Sequence, residues 1–289
     1  MARVLYSLAV VVCAVSIHVS AHAPAHAQDP GSQQDGGDLR AATQNPISSL
    51  ISLPFKFTFD DGAPNGDANI LSINPVVPVS VGKWNLVNRA LIPIVRAPGG
   101  IAGLPSIPGA GRPDPNNPDD TVFGLGDINY SVFVNPQESS LPFIWGVGPS
   151  ITIPTATDSA LGSEKVSLGP TGVLLAQPSW GSVGLLVRQL WSVGGKDSRA
   201  DVNNGLIEPF INYNLPDGWY LISDSVMTVN WQAPSGEKWT VPLGGGAGKL
   251  FKIGNQPINM RVESYYNVVR PDAGPDWTIG GTFQLLFPK

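Results

Sequence analysis

The closing segment, Gln256 to Lys289, changes chemistry at every second residue, and no other stretch constrains the fold as tightly. In its final strand Trp277, Ile279, Gly281, Phe283, Leu285 and Phe287 share one face. Thr278, Gly280, Thr282, Gln284 and Leu286 share the other. The strand before it sets Ile258, Met260, Val262, Ser264, Tyr266 and Val268 against Asn259, Arg261, Glu263, Tyr265 and Asn267. The Pro/Asp/Gly-rich stretch Arg270 to Asp276 joins the two. Period-two alternation marks strands that stand between two different environments. A soluble sandwich satisfies it by turning the apolar face into a core. A transmembrane barrel satisfies it by turning that face to lipid, with aromatics at the interfaces and the polar face on the lumen.

The rest of the chain decides between them. Ten further strand-like segments precede the hairpin: Leu50 to Phe59, Ala68 to Ser80, Lys83 to Val95, Val122 to Val134, Pro142 to Ile153, Val166 to Ala176, Gly181 to Val193, Gly205 to Asn214, Trp219 to Trp231, and Trp239 to about Phe251. The prolines of the second make its place inside a sheet less secure. Every second connection is short, as at Val81-Gly82, Leu215 to Gly218 and Gly254-Asn255. The others are mostly longer, up to Arg96 to Thr121. Short turns on one side and long loops on the other are the pattern of an outer-membrane barrel with an even number of strands. We therefore expect an all-β, transmembrane, antiparallel up-and-down β-barrel of about 12 strands over 46–289. In lipid no sheet edge can stay open, so the first strand must pair with the last.

The N-terminus points to the same compartment. Arg3, the apolar run Leu5 to Val19 and Ala25-His26-Ala27 before Gln28 form a secretory signal peptide, residues 1–27. An uncleaved anchor is disfavoured because the apolar run is short for a span. The only cysteine, Cys13, and the three histidines, His18, His22 and His26, all lie in that leader. The mature chain would then lack thiol and imidazole, which excludes disulfides, Cys/His metal sites and Ser-His or Cys-His catalysis. No cofactor and no metal is expected. Past the leader, sixteen basic residues stand against twenty-two acidic ones, about −6 in all, so no nucleic-acid footprint is visible. Residues 28–45 are polar and without period. They read as a disordered periplasmic lead-in, with a plug reaching into the barrel as the alternative.

Several stretches together resemble a known family: FGLGDINYSVFVNP, GVGPSITIPTATD, EPFINYNLPDGWYL, EKWTVPLGGGAGKLFKIG and the closing YYNVVRPDAGPDWTIGGTFQLLFPK. The chain is similar to the bacterial outer-membrane transporter-like proteins filed as meta-pathway phenol-degradation proteins, from about Pro46 to the end. The resemblance implies a barrel in the outer membrane and supplies no catalytic residue.

Alternation assigns Lys56, Arg89, Asp127, Arg188, Glu208, Asp224, Arg261 and Glu263 to the polar face, hence to the lumen, because a charge facing lipid near mid-depth costs roughly 2–4 kcal/mol. They are expected to line a solute pathway carrying both signs of charge. The alternative is a filled interior knitted by ion pairs. Trp84, Trp145, Trp191, Trp219, Trp231, Trp239, Trp277 and Phe287 fall near strand ends, as an interfacial girdle requires; stacking on an aromatic solute is the competing use. Gly124, Gly126 and Asp127 invite a phosphate or calcium reading, but strand glycines more often serve curvature. Gly244 to Gly248 lacks the Gly-Lys-Ser/Thr of a nucleotide loop and reads as a bent or bulged strand. Ile101, Leu104 and Ile107 are apolar for a surface loop, so the 96–121 connection is expected to fold over or into the extracellular mouth.

The expected function is an outer-membrane channel for passive passage of small organic solutes, including hydrophobic or aromatic ones, rather than an enzyme. A non-conducting structural or adhesive barrel is the alternative, and an outer-membrane hydrolase a more remote one. The expected partners are outer-membrane lipid, the assembly machinery acting on the C-terminal strand, and the solute.

Overall fold

The computed structural model describes residues 39–98, 101, 104, 121–139 and 141–288. The leader and residues 28–38 lie outside the described residues. Fifteen hydrogen-bonded stretches make up twelve strands, because three strands are each interrupted once. They are β1 (Ile51–Asp61), β2 (Ala68–Ile73 and Val76–Val81), β3 (Trp84–Pro98), β4 (Thr121–Leu125 and Ile128–Pro136), β5 (Ile144–Ile153), β6 (Lys165–Ala176), β7 (Gly181–Gly195), β8 (Asn203–Asn214), β9 (Trp219–Asp224 and Met227–Asn230), β10 (Trp239–Ile253), β11 (Gln256–Val269) and β12 (Trp277–Phe287). Each is antiparallel to its chain neighbours, and β1 pairs with β12 from Ile51↔Phe287 to Asp61↔Trp277, which closes the ring.

The faces show which environment each side meets. On β11 Val262 is 68 % exposed and its neighbour Glu263 is 2 % exposed. On β12 Trp277, Ile279, Phe283 and Phe287 point outward, while Thr278, Thr282 and Leu286 are buried within. A sandwich would bury the apolar face. Here it forms a continuous outer belt far larger than water tolerates. The molecule is a closed transmembrane barrel.

Irregularities fall where the residues require them. β2 breaks at Asn74-Pro75, where proline has no N–H to give the ladder. The Asn74 amide donates to the Pro54 carbonyl at 2.9 Å instead. In β10 the register shifts between Val241 and Pro242, ahead of the glycine run, and that run continues as strand. A side chain at Gly248 would come within 2.2 Å of the Tyr220 ring, so the glycine leaves room for the hydroxyl end of that ring. Gly82 (φ +59°) and Gly254 (φ +58°) each open a two-residue turn, the backbone a tight hairpin needs.

Short turns gather at one end of the barrel, the turn end, and long loops at the other. Residues 39–44 are helical and lie across the turn end. The Arg40 guanidinium donates to the Leu215 carbonyl at 2.8 Å, the Gln177 amide to the Ala41 carbonyl at 2.7 Å, and the Gln44 amide to Asn214 Oδ1 at 2.9 Å. The disordered lead-in expected over 28–45 therefore does not hold for its described part. Its polar residues find partners in the turns, which composition alone does not reveal.

Apolar residues collect at both ends of the interior. Ile47 is buried among Val87, Phe133, Val173, Leu175, Leu186, Leu206 and Phe210 toward the turn end. Toward the loop end Ile101 and Leu104 are buried with Ile70, Val95, Ala97 and Leu161. Ile101 and Leu104 thus sit within the mouth, as their apolar character suggests; Ile107 lies outside the described residues.

Candidate functional site

Between these apolar ends lies a charged chamber. Lys56 on β1, Arg89 on β3, Arg188 on β7, Glu208 on β8, Asp224 on β9 and Arg261 on β11 all line one cavity of about 200 Å³. A second cavity of about 180 Å³ shares Lys56, Arg89, Glu208, Asp224 and Arg261 and runs to residues 42–46 and Ser48 of the N-terminal segment. Six strands spread around the ring each contribute one charge because each places an inward position at the same depth. The ladder makes part of this explicit: Thr282 is the register partner of both Lys56 and Arg261.

The charges are not equivalent. Arg261 Nη1 lies 2.8 Å from Asp224 Oδ2 and its Nε 2.7 Å from Glu263 Oε1. The Tyr265 hydroxyl lies 2.8 Å from Asp224 Oδ1 and 3.0 Å from Glu263 Oε2, and accepts the Asp224 amide at 3.0 Å. One arginine, two carboxylates and a phenol are thereby locked across β9 and β11. Tyr220 extends the net by donating to Asn259 Oδ1 at 2.8 Å. Such a buried network orders the wall, and removing one partner strands the others. On the opposite wall Arg188 Nη1 donates to Asn129 Oδ1 at 2.6 Å, and the Arg89 guanidinium lies 5.9 Å from the centre of the Phe133 ring. Among the described residues neither arginine, nor Lys56, nor Glu208 has a carboxylate–cation contact within 4.0 Å, whereas Arg261 has two.

Asp127 departs from the sequence expectation. It is buried but does not line the cavity. Its carboxylate accepts the Ala156 amide at 3.2 Å, and the Ser163 amide and hydroxyl at 2.7 and 2.8 Å. The Gly126–Asp127 break in β4 lets the 154–164 loop come down onto the strand, where Leu125 N donates to Thr157 Oγ1 at 3.0 Å. The reason is depth. Alternation tells which face a side chain takes, but not whether it stands at the chamber or under a loop. Among the described residues no group of three His, Cys, Asp or Glu is placed to hold a metal ion.

The aromatics named from sequence occupy the two rims. Trp84 and Trp145 meet edge to face at 6.4 Å beside the turns, where Trp219 also lies, its ring 4.9 Å from Lys249 Nζ. Trp231 and Trp239 meet at 5.7 Å beside the loops, where Trp277 packs on Tyr266 at 5.0 Å and Trp191 stands near the end of β7. Phe287 ends β12 on the turn side. Trp180 stacked on Tyr213 at 6.2 Å belongs with the turn-side set and was missed, because Trp180 sits in a turn where no period shows. Tyr265, Asn129 and Ile47 were missed too. The first two lie on polar faces that the alternation does identify, and Ile47 precedes any periodic run.

No protein-family model and no curated protein sequence matches the chain. Solved structures do. A crystal structure of an outer membrane channel from Pseudomonas putida F1 matches with a TM-score of 0.58 at 15 % identity, over 84 % of this chain and 97 % of that one. Outer membrane phospholipase A from Escherichia coli matches with a TM-score of 0.44 at 13 % identity, over 87 % and 98 %. CdiB from Acinetobacter baumannii matches with a TM-score of 0.42 at 8 % identity, over 83 % and 60 %. The first shares the fold of this chain over nearly its own full length.

Proposed function

We propose that this chain is an outer-membrane channel of a Gram-negative bacterium, passing small organic solutes, hydrophobic or aromatic ones included, by passive diffusion. The observation that carries the reading is the charged chamber midway along a transmembrane barrel, open space where a purely structural barrel would pack side chains. The fold shared with a Pseudomonas channel and the sequence resemblance to outer-membrane transporter-like proteins both support it. In this reading residues 1–27 direct export, the turn end faces the periplasm, the two aromatic rims mark the membrane interfaces, and the C-terminal strand engages the assembly machinery. Lys56, Arg89, Arg188, Glu208, Asp224, Arg261 and Glu263 line or buttress the solute path. No enzymatic role is assigned, because an imidazole-free mature chain has no Ser-His pair.

The test is liposome swelling with the purified mature chain across sugars, amino acids and small neutral aromatics. Swelling with any of these above empty liposomes supports a channel. Residues 39–50, held inside the turn end, favour a second reading, a barrel that conducts nothing at rest. If full-length and N-terminally shortened barrels both leave liposomes impermeable, the channel is wrong and the structural reading stands.

A further inference from the structure

The charges of the chamber balance in number but not in place. Four cations, Lys56, Arg89, Arg188 and Arg261, meet four carboxylates, Glu208, Asp224, Glu263 and Asp60, the last bonded to the cavity-lining Thr278 beside Lys56. Arg261 is saturated by two of the four, so the wall formed by β9 and β11 already carries an excess of negative charge. On the other wall Arg89 and Arg188 share the single carboxylate Glu208, a local surplus of positive charge. There Arg188 reaches from β7 to Asn129 on β4, while Arg89 on β3 is the register partner of Ser131, the next inward residue of β4. Inward positions two residues apart stand roughly 7 Å from one another. The Ser131 hydroxyl donates to Asn129 Oδ1 at 3.3 Å, which ties the two positions together. The Arg188 guanidinium thus stands at Asn129 and the Arg89 guanidinium over Phe133, two inward positions of the same strand, and both line the same cavity near enough to interact. Two fixed cations without a direct counter-ion, in a partly desolvated chamber, repel each other and attract any anion that reaches them.

From this wall we infer a binding site for a small organic carboxylate. Its carboxylate would lie between Arg89 and Arg188, since guanidinium forks match the planar, two-oxygen geometry of a carboxylate. Its hydrocarbon part would lie against Phe133, Leu186, Leu206 and Val226, apolar residues lining the same cavity. A cavity of about 200 Å³ is below the roughly 300–1,000 Å³ of drug-sized sites, which restricts the ligand to a single ring or a short chain. Glu208 lines the same space, has no direct cation partner, and opposes the incoming charge. The inference deepens the channel reading and rests on it: the chamber that passes small organic solutes pauses those with a carboxylate.

Titration calorimetry of the full mature barrel in detergent, with benzoate and with uncharged benzamide, tests it without requiring conduction. Benzoate should bind saturably with one site and benzamide at least about tenfold more weakly, the loss expected for a charge-assisted pair. Arg89→Gln and Arg188→Gln should each weaken benzoate about tenfold. Glu208→Gln should tighten it, a gain that a misfolded barrel cannot produce. Equal binding of benzoate and benzamide, or benzoate binding indifferent to both arginine changes, or weakened by Glu208→Gln, would overturn the site. Swelling with neutral solutes alongside absent benzoate binding would remove the site and leave the channel. Benzoate binding in a barrel that passes nothing would leave the site and remove the channel.

Discussion

The two ends of the interior are closed by different kinds of contact. At the turn end, a short helical segment is held by polar tethers from three places, Leu215, Gln177 and Asn214, and anchored by one deeply buried side chain, Ile47. At the loop end, Ile101, Leu104 and Leu161 pack on wall residues, over a loop framework that Asp127 and Arg199 pin. The first closure belongs to a strand-free segment that precedes the barrel and shares no ladder with it. The second belongs to connections whose both ends continue into strands. Among the described residues the first closure meets the ladder only where β1 begins, so it can be removed without breaking a strand connection, and the second cannot. Neither closure rests on the network around Arg261, which belongs to the wall.

That contrast is best broken from the wall outward. Arg261→Ala leaves Asp224 and Glu263 facing each other uncompensated and should cost about 3–5 kcal/mol of barrel stability, read by urea unfolding in detergent. A loss comparable to a surface change would mean that the network does not order the wall. Ile47→Ala should weaken docking of the N-terminal segment by roughly 2–5 kcal/mol while leaving barrel unfolding unchanged. Since the one cysteine is Cys13, a Thr43→Cys reporter in a chain beginning at Gln28 can be labelled with a maleimide, and its labelling rate should rise sharply in that background. Asp127→Ala removes the acceptor of three hydrogen bonds to the 154–164 loop. Hydrogen exchange in that loop should rise by the equivalent of about 1.5–3 kcal/mol, with no change at residue 43. Arg40→Ala is the mildest, because its bonds are partly open to solvent; labelling at residue 43 should rise by the equivalent of about 1 kcal/mol.

These four sites also show what could be read before folding. Arg261 was legible because Asn259, Arg261, Glu263, Tyr265 and Asn267 alternate with apolar residues, and a barrel leaves only the lumen for such a face. That same regularity made the strand count and the β1–β12 closure legible. Asp127 was assigned to the right face but to the wrong surroundings, because alternation has no information about depth or about which loop descends. Arg40 and Ile47 escaped because the 39–50 stretch has no intrinsic period. Its helix and its buried isoleucine exist only through contacts with Gln177, Leu215 and Phe210, residues more than a hundred positions away in the chain. The imbalance between the two chamber walls escaped for the same reason, since a list of inward charges does not say which of them touch.

The most direct measurement compares single-channel conductance of the mature chain with that of a chain lacking residues 39–47, in planar bilayers at the same salt concentration. A chamber closed at its turn end by a detachable segment predicts a small conductance for the intact barrel and a several-fold larger one after the deletion. Equal conductance in two correctly folded barrels would contradict it.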